Sequence, residues 1–259
     1  MTRLLTSIRH VITLDLRGHG LSESGEWNVD LILEDIRAVH RSYSTADITI
    51  AGHSLGGVLA FLYTSRYGDV SHVIDLDGFA LLASEYVGLS PVEAATYQER
   101  ARAGWVQPQP NLTSKAVAKL QKTVIDSYGL SPADSAEIMR RTLNPIANDS
   151  YSFRTDIGAI RGIRALYGAF LNDRSFFDLV RSVASPSLIF RANRLSLPPQ
   201  LPEWHRKMLQ AYFLGVQQQS DALKDSCQVM LSVRESSHMM MLEEPDALAY
   251  EMIQFLTTG

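Results

Sequence analysis

The stretch Ile48-Thr49-Ile50-Ala51-Gly52-His53-Ser54-Leu55-Gly56-Gly57-Val58-Leu59 decides how this chain folds. Residues 48–51 form a short apolar run rich in β-branched side chains, which reads as a buried parallel strand. Residues 56–67 read as a helix closed by Gly68. Between the two stands Ser54. A strand-to-helix turn this sharp lifts the serine side chain above a sheet and crowds the residues two before and two after it, so Gly52 and Gly56 are both expected to be obligatory glycines. The helix that follows points free N–H groups and the positive end of its dipole at the serine, which favours an oxyanion forming there. Ser54 is therefore the candidate nucleophile, and the N–H of Leu55 the natural first oxyanion donor.

Working outward, residues 11–16 read as another buried strand, and Leu31, Ile32, Asp35, Ile36 and Val39 carry the helical spacing of a crossover helix. Residues 72–76 read as a third strand. This rhythm predicts an α/β fold, a mostly parallel sheet flanked by helices. From residue 83 to 184 the pattern changes to helical periodicity broken by Pro91, Pro108, Pro110, Pro132 and Pro145, with no convincing strand. The predicted organisation is thus a core of residues 1–82 and 185–259, carrying a helical lid insertion at 83–184. In the second part of the core, strands are expected at 187–192 and 229–233 and a helix near 209–218. A last helix begins at Pro245, with Glu243, Glu244 and Asp246 complementing its dipole and Leu248, Met252, Phe255 and Leu256 as its buried stripe.

Taken together, Gly52 to Gly57 and Asp15-Leu16-Arg17-Gly18-His19-Gly20-Leu21-Ser22 resemble the α/β-hydrolase superfamily. The resemblance implies a structural role for the Asp15 to Ser22 turn at the rim of the pocket. A serine hydroxyl is a weak nucleophile until a base takes its proton. Ser236-Ser237-His238, followed by Met239 to Leu242 and Glu244-Pro245, resembles the family's histidine loop, which implies His238 as the base. In most relatives an acid follows the strand after the lid, but here residues 187–192 run into Asn193-Arg194-Leu195-Ser196-Leu197-Pro198-Pro199, without a carboxylate. Some lipase-like members place it after the strand that follows the nucleophile helix. There the sequence reads Asp75-Leu76-Asp77-Gly78, so Asp77 is the candidate acid, with Asp75 still inside the ladder. An aspartate shaping a turn with Gly78 is the competing account of Asp77. Glu203 and Asn193 are outside candidates. For the other six histidines, His53 inside the elbow among them, a surface or packing role suffices.

The family also places two or three strands ahead of the Asp15 to Ser22 turn, and this chain starts too late to contain them. Residues 2–8 are expected to form the end of a first helix. Either the sequence is a truncated or misannotated form of a longer hydrolase, and a gap of about 9–10 Å remains beside the nucleophile strand, or residues 11–16 move against 48–51 to give a sheet of about five strands. Loss of the loop behind the missing strand leaves one oxyanion donor, each such donor being worth about 2.7–4 kcal/mol.

The bulk numbers narrow the function classes. With 259 residues, 46% hydrophobic and 20% charged, the chain is expected to be folded and soluble. A net charge of -4 offers no attraction to nucleic acid or anionic lipid. No apolar run approaches the roughly 20 residues of a membrane helix, so a cytoplasmic location is the default. Cys227 is the one cysteine, which excludes an internal disulfide and a cysteine-based metal cluster, and it is expected to be a packed or idle thiol. Met239, Met240 and Met241 read as core and pocket wall, and no metal or organic cofactor is implied. Of the insertion's arginines, Arg100, Arg102, Arg140, Arg141, Arg154, Arg161 and Arg164, a solvated helix face explains most, and a substrate carboxylate is the alternative partner. The expected activity is that of a serine hydrolase on a small-molecule ester or similar acyl substrate. The alternatives are a catalytically impaired binding protein of the same fold, or a cofactor-free lyase or perhydrolase.

Overall fold

A computed structural model describes residues 2–43, 48–105, 109–146, 148–195, 197 and 200–258. In chain order its elements are α1 Thr2–Leu5, α2 Val29–Tyr43, β1 Thr49–His53, α3 Leu55–Tyr67, β2 His72–Leu76, α4 Pro91–Trp105, β3 Leu112–Thr113, α5 Ser114–Tyr128, α6 Pro132–Thr142 and β4 Leu143–Ile146. They continue with β5 Ser150–Phe153, α7 Ile157–Asp173, α8 Phe176–Ser182, β6 Ser187–Ala192, α9 Glu203–Asp221, β7 Val229–Arg234, α10 Met240–Glu243 and α11 Pro245–Thr257. The chain forms two compact units. One comprises Met1–Val11, Ile36–Arg102 and Tyr167–Gly259, the other Ile12–Asp35 and Ala103–Leu166. Among the described residues no helix is long and apolar enough to cross a membrane.

The first unit is built on a four-stranded parallel sheet in the order β1-β2-β6-β7. All six residues of β6 are buried, as expected of a strand covered on both faces. Because side chains alternate, Ile74, Leu76, Leu188, Phe190 and Ala192 form one apolar face, packed with Met240 and with Leu248, Met252 and Leu256 of α11. Burying each of these large side chains is worth about 1.5–3 kcal/mol. On the alternate positions of β2 lie Val73 and Asp75, and Asp75 sits against Gly57 of α3. Packing of α3 continues outward through Phe61, whose ring meets Phe176 of α8 edge-on at 5.6 Å.

Residues 11–16 do not form the expected strand, and among the described residues the sheet has four strands, not the roughly five of the alternative in which residues 11–16 pair with residues 48–51. Ile12 and Leu14 are exposed at 39% and 41%. Polar groups of this segment bond locally instead: Leu21 N–H donates to the Asp15 carboxylate, Ser22 Oγ to the Asp15 carbonyl, and His19 N–H to the Leu16 carbonyl. An apolar β-branched run has strand propensity, but a strand exists only where a partner ladder receives it. β1 is accordingly a terminal strand of the sheet.

The second unit holds the Asp15 to Ser22 turn. Arg17 forks onto Asp35 at 2.6 and 2.7 Å, Gly18 and Gly20 take positive φ, and Asp15 pairs with Arg141 at 2.9 Å. Residues 83–184 are not wholly helical, because β3, β5 and β4 form a small antiparallel sheet in that order. These strands hold two to four residues each, too few to display alternation, and Pro145 lies in β4, at the edge where a missing N–H is tolerated. Arg140 and Arg141 engage Glu137, Arg102 engages Glu99, and Arg154 donates to the carbonyls of Arg140 and Leu143, so these arginines are used within the fold.

The turn from β1 into α3 is as tight as expected, with one reassignment. A Cβ on Gly52 would lie 2.1 Å from the backbone C and O of Gly56, so Gly52 is obligatory. A Cβ on Gly56 would meet nothing within 4 Å, whereas one on Gly57 would lie 1.8 Å from Oδ1 of Asp75. The second steric demand therefore falls on Gly57, since Gly56 contributes its backbone, not its side, to the contact. Asp75 is fully buried; its Oδ1 accepts from Gly78 N–H at 2.9 Å, and its Oδ2 has no partner among the described residues. Burial pushes this carboxyl well above the usual 3.8, and neighbouring Asp77 adds to the rise, against the pull of the Gly78 N–H.

Gly57→Ala is expected to lower stability by about 1–3 kcal/mol through overpacking against Asp75, while Gly56→Ala is neutral or stabilises by up to about 1 kcal/mol; equilibrium urea unfolding reads both. Because the folded-state pKa of Asp75 is raised, its contribution to stability is fully present below about pH 3.8 and declines as pH rises toward the folded value. Asp75→Asn removes that titration. The unfolding free energy of the variant relative to wild type should therefore rise as the pH is raised above about 3.8 toward the folded-state value.

Candidate active site

The site assembles at the carboxyl ends of the parallel strands in the first unit. The ladder continues past each strand end: Ser54 N–H donates to the Leu76 carbonyl at 3.0 Å, Asp77 N–H to Phe190 at 2.9 Å, and Asn193 N–H to Arg234 at 2.8 Å. Ser54 and Asp77 both adopt positive φ, 54° and 57°. For Ser54, with ψ at -118°, this strained backbone costs about 1–3 kcal/mol. Its carbonyl accepts from Gly57 N–H at 2.9 Å and Val58 N–H at 3.3 Å, which anchors the turn to α3. Leu55 and Gly56 open that helix, where first-turn N–H groups have no acceptor within the helix.

The left-handed turn at Asp77 carries its carboxylate beyond the ladder. Oδ1 accepts from Ala192 N–H at 2.8 Å, and Oδ2 lies 2.8 Å from Nδ1 of His238. A carboxylate only accepts, so Nδ1 carries the imidazole proton in this contact and Nε2 of the neutral ring keeps its lone pair. Asp77 is 13% exposed and His238 is 50% exposed, so the pair has one shielded and one accessible partner. The other two acid candidates lie elsewhere. Glu203 pairs with Lys207 at the start of α9, and Asn193 bonds to Glu235 and Gln217.

The histidine loop is braced from below. Glu243 accepts from Ser237 Oγ and from Ser237 N–H, and Arg194 pairs with the same carboxylate. Ser237 Oγ in turn accepts from Met239 N–H at 3.2 Å. Arg234 at the end of β7 pairs with Glu244 and with Glu251 of α11, tying the loop's two flanks together. Met240 is fully buried and Met241 partly so, as core residues.

His53 is the residue whose place the sequence reading understated. Its Nε2 lies 2.8 Å from the backbone carbonyl oxygen of His238, and the two rings are 4.6 Å apart between centroids. Burial lowers its pKa below 6.5, and His238 lowers it further. The available signal was position: the last residue of a strand directly before the serine stands at the same carboxyl end of the sheet as the histidine loop. Other histidines serve packing. His40 bonds to Tyr63 Oη, His205 stacks on Trp204, and His72 meets Phe255 edge-on. Cys227 is exposed, not packed.

Comparison with known proteins agrees with this architecture. A monoacylglycerol lipase of Mycolicibacterium smegmatis is 31% identical over 131 residues, covering 47% of this chain and 45% of the lipase. A probable serine hydrolase of Drosophila melanogaster is 34% identical over 80 residues, covering 29% of this chain and 24% of that protein. The chain thus matches less than half the length of these curated relatives. Among solved structures, E-2-(acetamidomethylene)succinate hydrolase superposes with a TM-score of 0.62 at 19% identity, covering 93% of this chain and 79% of that one. The thioesterase domain from the curacin biosynthetic pathway gives 0.63 at 19% identity, with coverage of 93% and 79%. At such identity the likeness is one of fold. The model of the alpha/beta hydrolase family matches residues 1–251, and the chain belongs to that family.

Proposed function

We infer that the protein is a serine hydrolase that cleaves a carboxylic ester or similar acyl bond of a small molecule through Ser54, His238 and Asp77. The observation that carries this reading is the 2.8 Å contact between His238 Nδ1 and Asp77, which in a neutral imidazole puts the proton on Nδ1 and leaves the lone pair on the opposite nitrogen of an accessible ring. A serine in a strained turn at a helix N-terminus supports it, as do relatives named as a lipase and a serine hydrolase.

His238 Nε2 takes the proton of Ser54 Oγ as the oxygen attacks the acyl carbon. The carbonyl oxygen of the tetrahedral intermediate gains the negative charge and faces the N–H of Leu55. Collapse breaks the bond to the leaving alcohol, which departs with the proton held by His238. Water then repeats the sequence on the acyl-enzyme: His238 takes its proton, the hydroxyl adds to the acyl carbon, and the acid leaves as Ser54 is reprotonated. Throughout, the Asp77 carboxylate keeps the imidazole in one tautomer and stabilises its cationic form. In this scheme residues 1–82 and 185–259 carry the chemistry, and residues 83–184 set substrate preference.

A fluorophosphonate probe should label the folded wild-type protein at Ser54 and leave Ser54→Ala unlabelled, with peptide mass spectrometry locating the adduct. Absence of label on folded wild type would sink the catalytic reading in favour of a binding role on the same fold. On p-nitrophenyl esters, Asp77→Asn should lower kcat roughly a thousandfold to ten-thousandfold, because the wrong imidazole tautomer then dominates.

A further inference from the structure

The hydrogen bond between His53 and His238 joins residues 185 positions apart and connects the elbow directly to the histidine loop. A peptide carbonyl is only an acceptor, so Nε2 of His53 must carry the proton and donate it. The Asp77 contact holds the His238 ring at one atom, Nδ1. A ring held at one atom still swings with its backbone, and the direction of its free nitrogen follows. The His53 N–H fixes that backbone from the β1 side, while Glu243, itself paired with Arg194, accepts from the N–H and Oγ of the preceding residue, Ser237.

We propose that His53 is a positioning residue, a neutral N–H tether that holds the main chain of His238 against the elbow so that the imidazole's free nitrogen stays aimed at Ser54. The inference rests on the reading of Ser54 and His238 as nucleophile and base. A lysine or arginine could also reach a carbonyl, but its charge would stand beside an imidazole that becomes cationic in each half-reaction. A histidine depressed in pKa by burial donates a hydrogen bond without that repulsion. The ring is also half-buried at the end of β1, so a packing role competes with the tether. The two roles make opposite demands on a substitution. Phenylalanine keeps the ring's bulk and loses the donor; glutamine loses the ring and keeps an N–H at similar reach.

Wild type, His53→Phe and His53→Gln are compared by the rate of fluorophosphonate labelling at Ser54 and by kcat and KM on a p-nitrophenyl ester. The low-field proton resonance of the His238–Asp77 hydrogen bond and thermal unfolding are recorded for all three. With the tether real, His53→Phe labels about 10–100-fold more slowly with the loss in kcat and not KM, while His53→Gln stays within about 3-fold of wild type. The low-field resonance then persists in wild type and His53→Gln and is lost or broadened in His53→Phe. Labelling of His53→Phe at the wild-type rate overturns the proposal. Equal slowing of both variants, with unchanged unfolding temperature, overturns it as well. If wild type itself takes no label, the nucleophile reading fails separately. The low-field resonance then decides the tether alone, its loss only in His53→Phe upholding it and its presence in all three overturning it.

Discussion

Everything at the carboxyl end of this sheet depends on how closely Gly52 approaches the backbone of Gly56. With a side chain at Gly52 the chain could not leave β1 and enter α3 in a single residue, and Ser54 would lose its strained, outward position. The same contact sets α3 low over the sheet, so Gly57 presses onto Asp75, and Asp75 in turn holds Gly78 at the end of β2. The serine turn and the aspartate turn are thus two faces of one packed cluster. Strain at Ser54 and Asp77 persists because hydrogen bonds to the next strand over-determine both, at Leu76 and at Phe190.

A buried carboxyl beneath the serine and aspartate turns is costly unless it stays protonated. The environment of Asp75 pushes it that way, while the contact to His238 is made by Asp77. Two aspartates two residues apart therefore have opposite surroundings. One is enclosed by α3 and the β2 turn; the other reaches past the ladder to the Ala192 N–H and an imidazole. The difference follows from alternation along a strand and from the left-handed residue that ends it.

Much of the fold was legible because its signals are local. β2 and β6 begin and end at the expected residues, and the buried stripe of α11 carries Leu248, Met252 and Leu256 as its periodicity predicts. Where expectation and structure part, the deciding term is non-local. Residues 11–16 have strand composition but no partner, while β3, β4 and β5 have partners but too little length or pattern to announce them. Gly57, and not Gly56, bears the second steric demand because the obstacle is an aspartate on the neighbouring strand, 18 residues away in sequence.

By itself the sequence determined the class of sheet, the serine turn with its helix, and the small set of candidates for an acid and a base, because period, glycine placement and strand ends are encoded within a few residues. The tertiary structure decided which aspartate meets His238, that His53 grips the same loop, and that the sheet has four strands. Those outcomes depend on distances between segments far apart in the chain, which packing and hydrogen-bond satisfaction set and no local pattern contains.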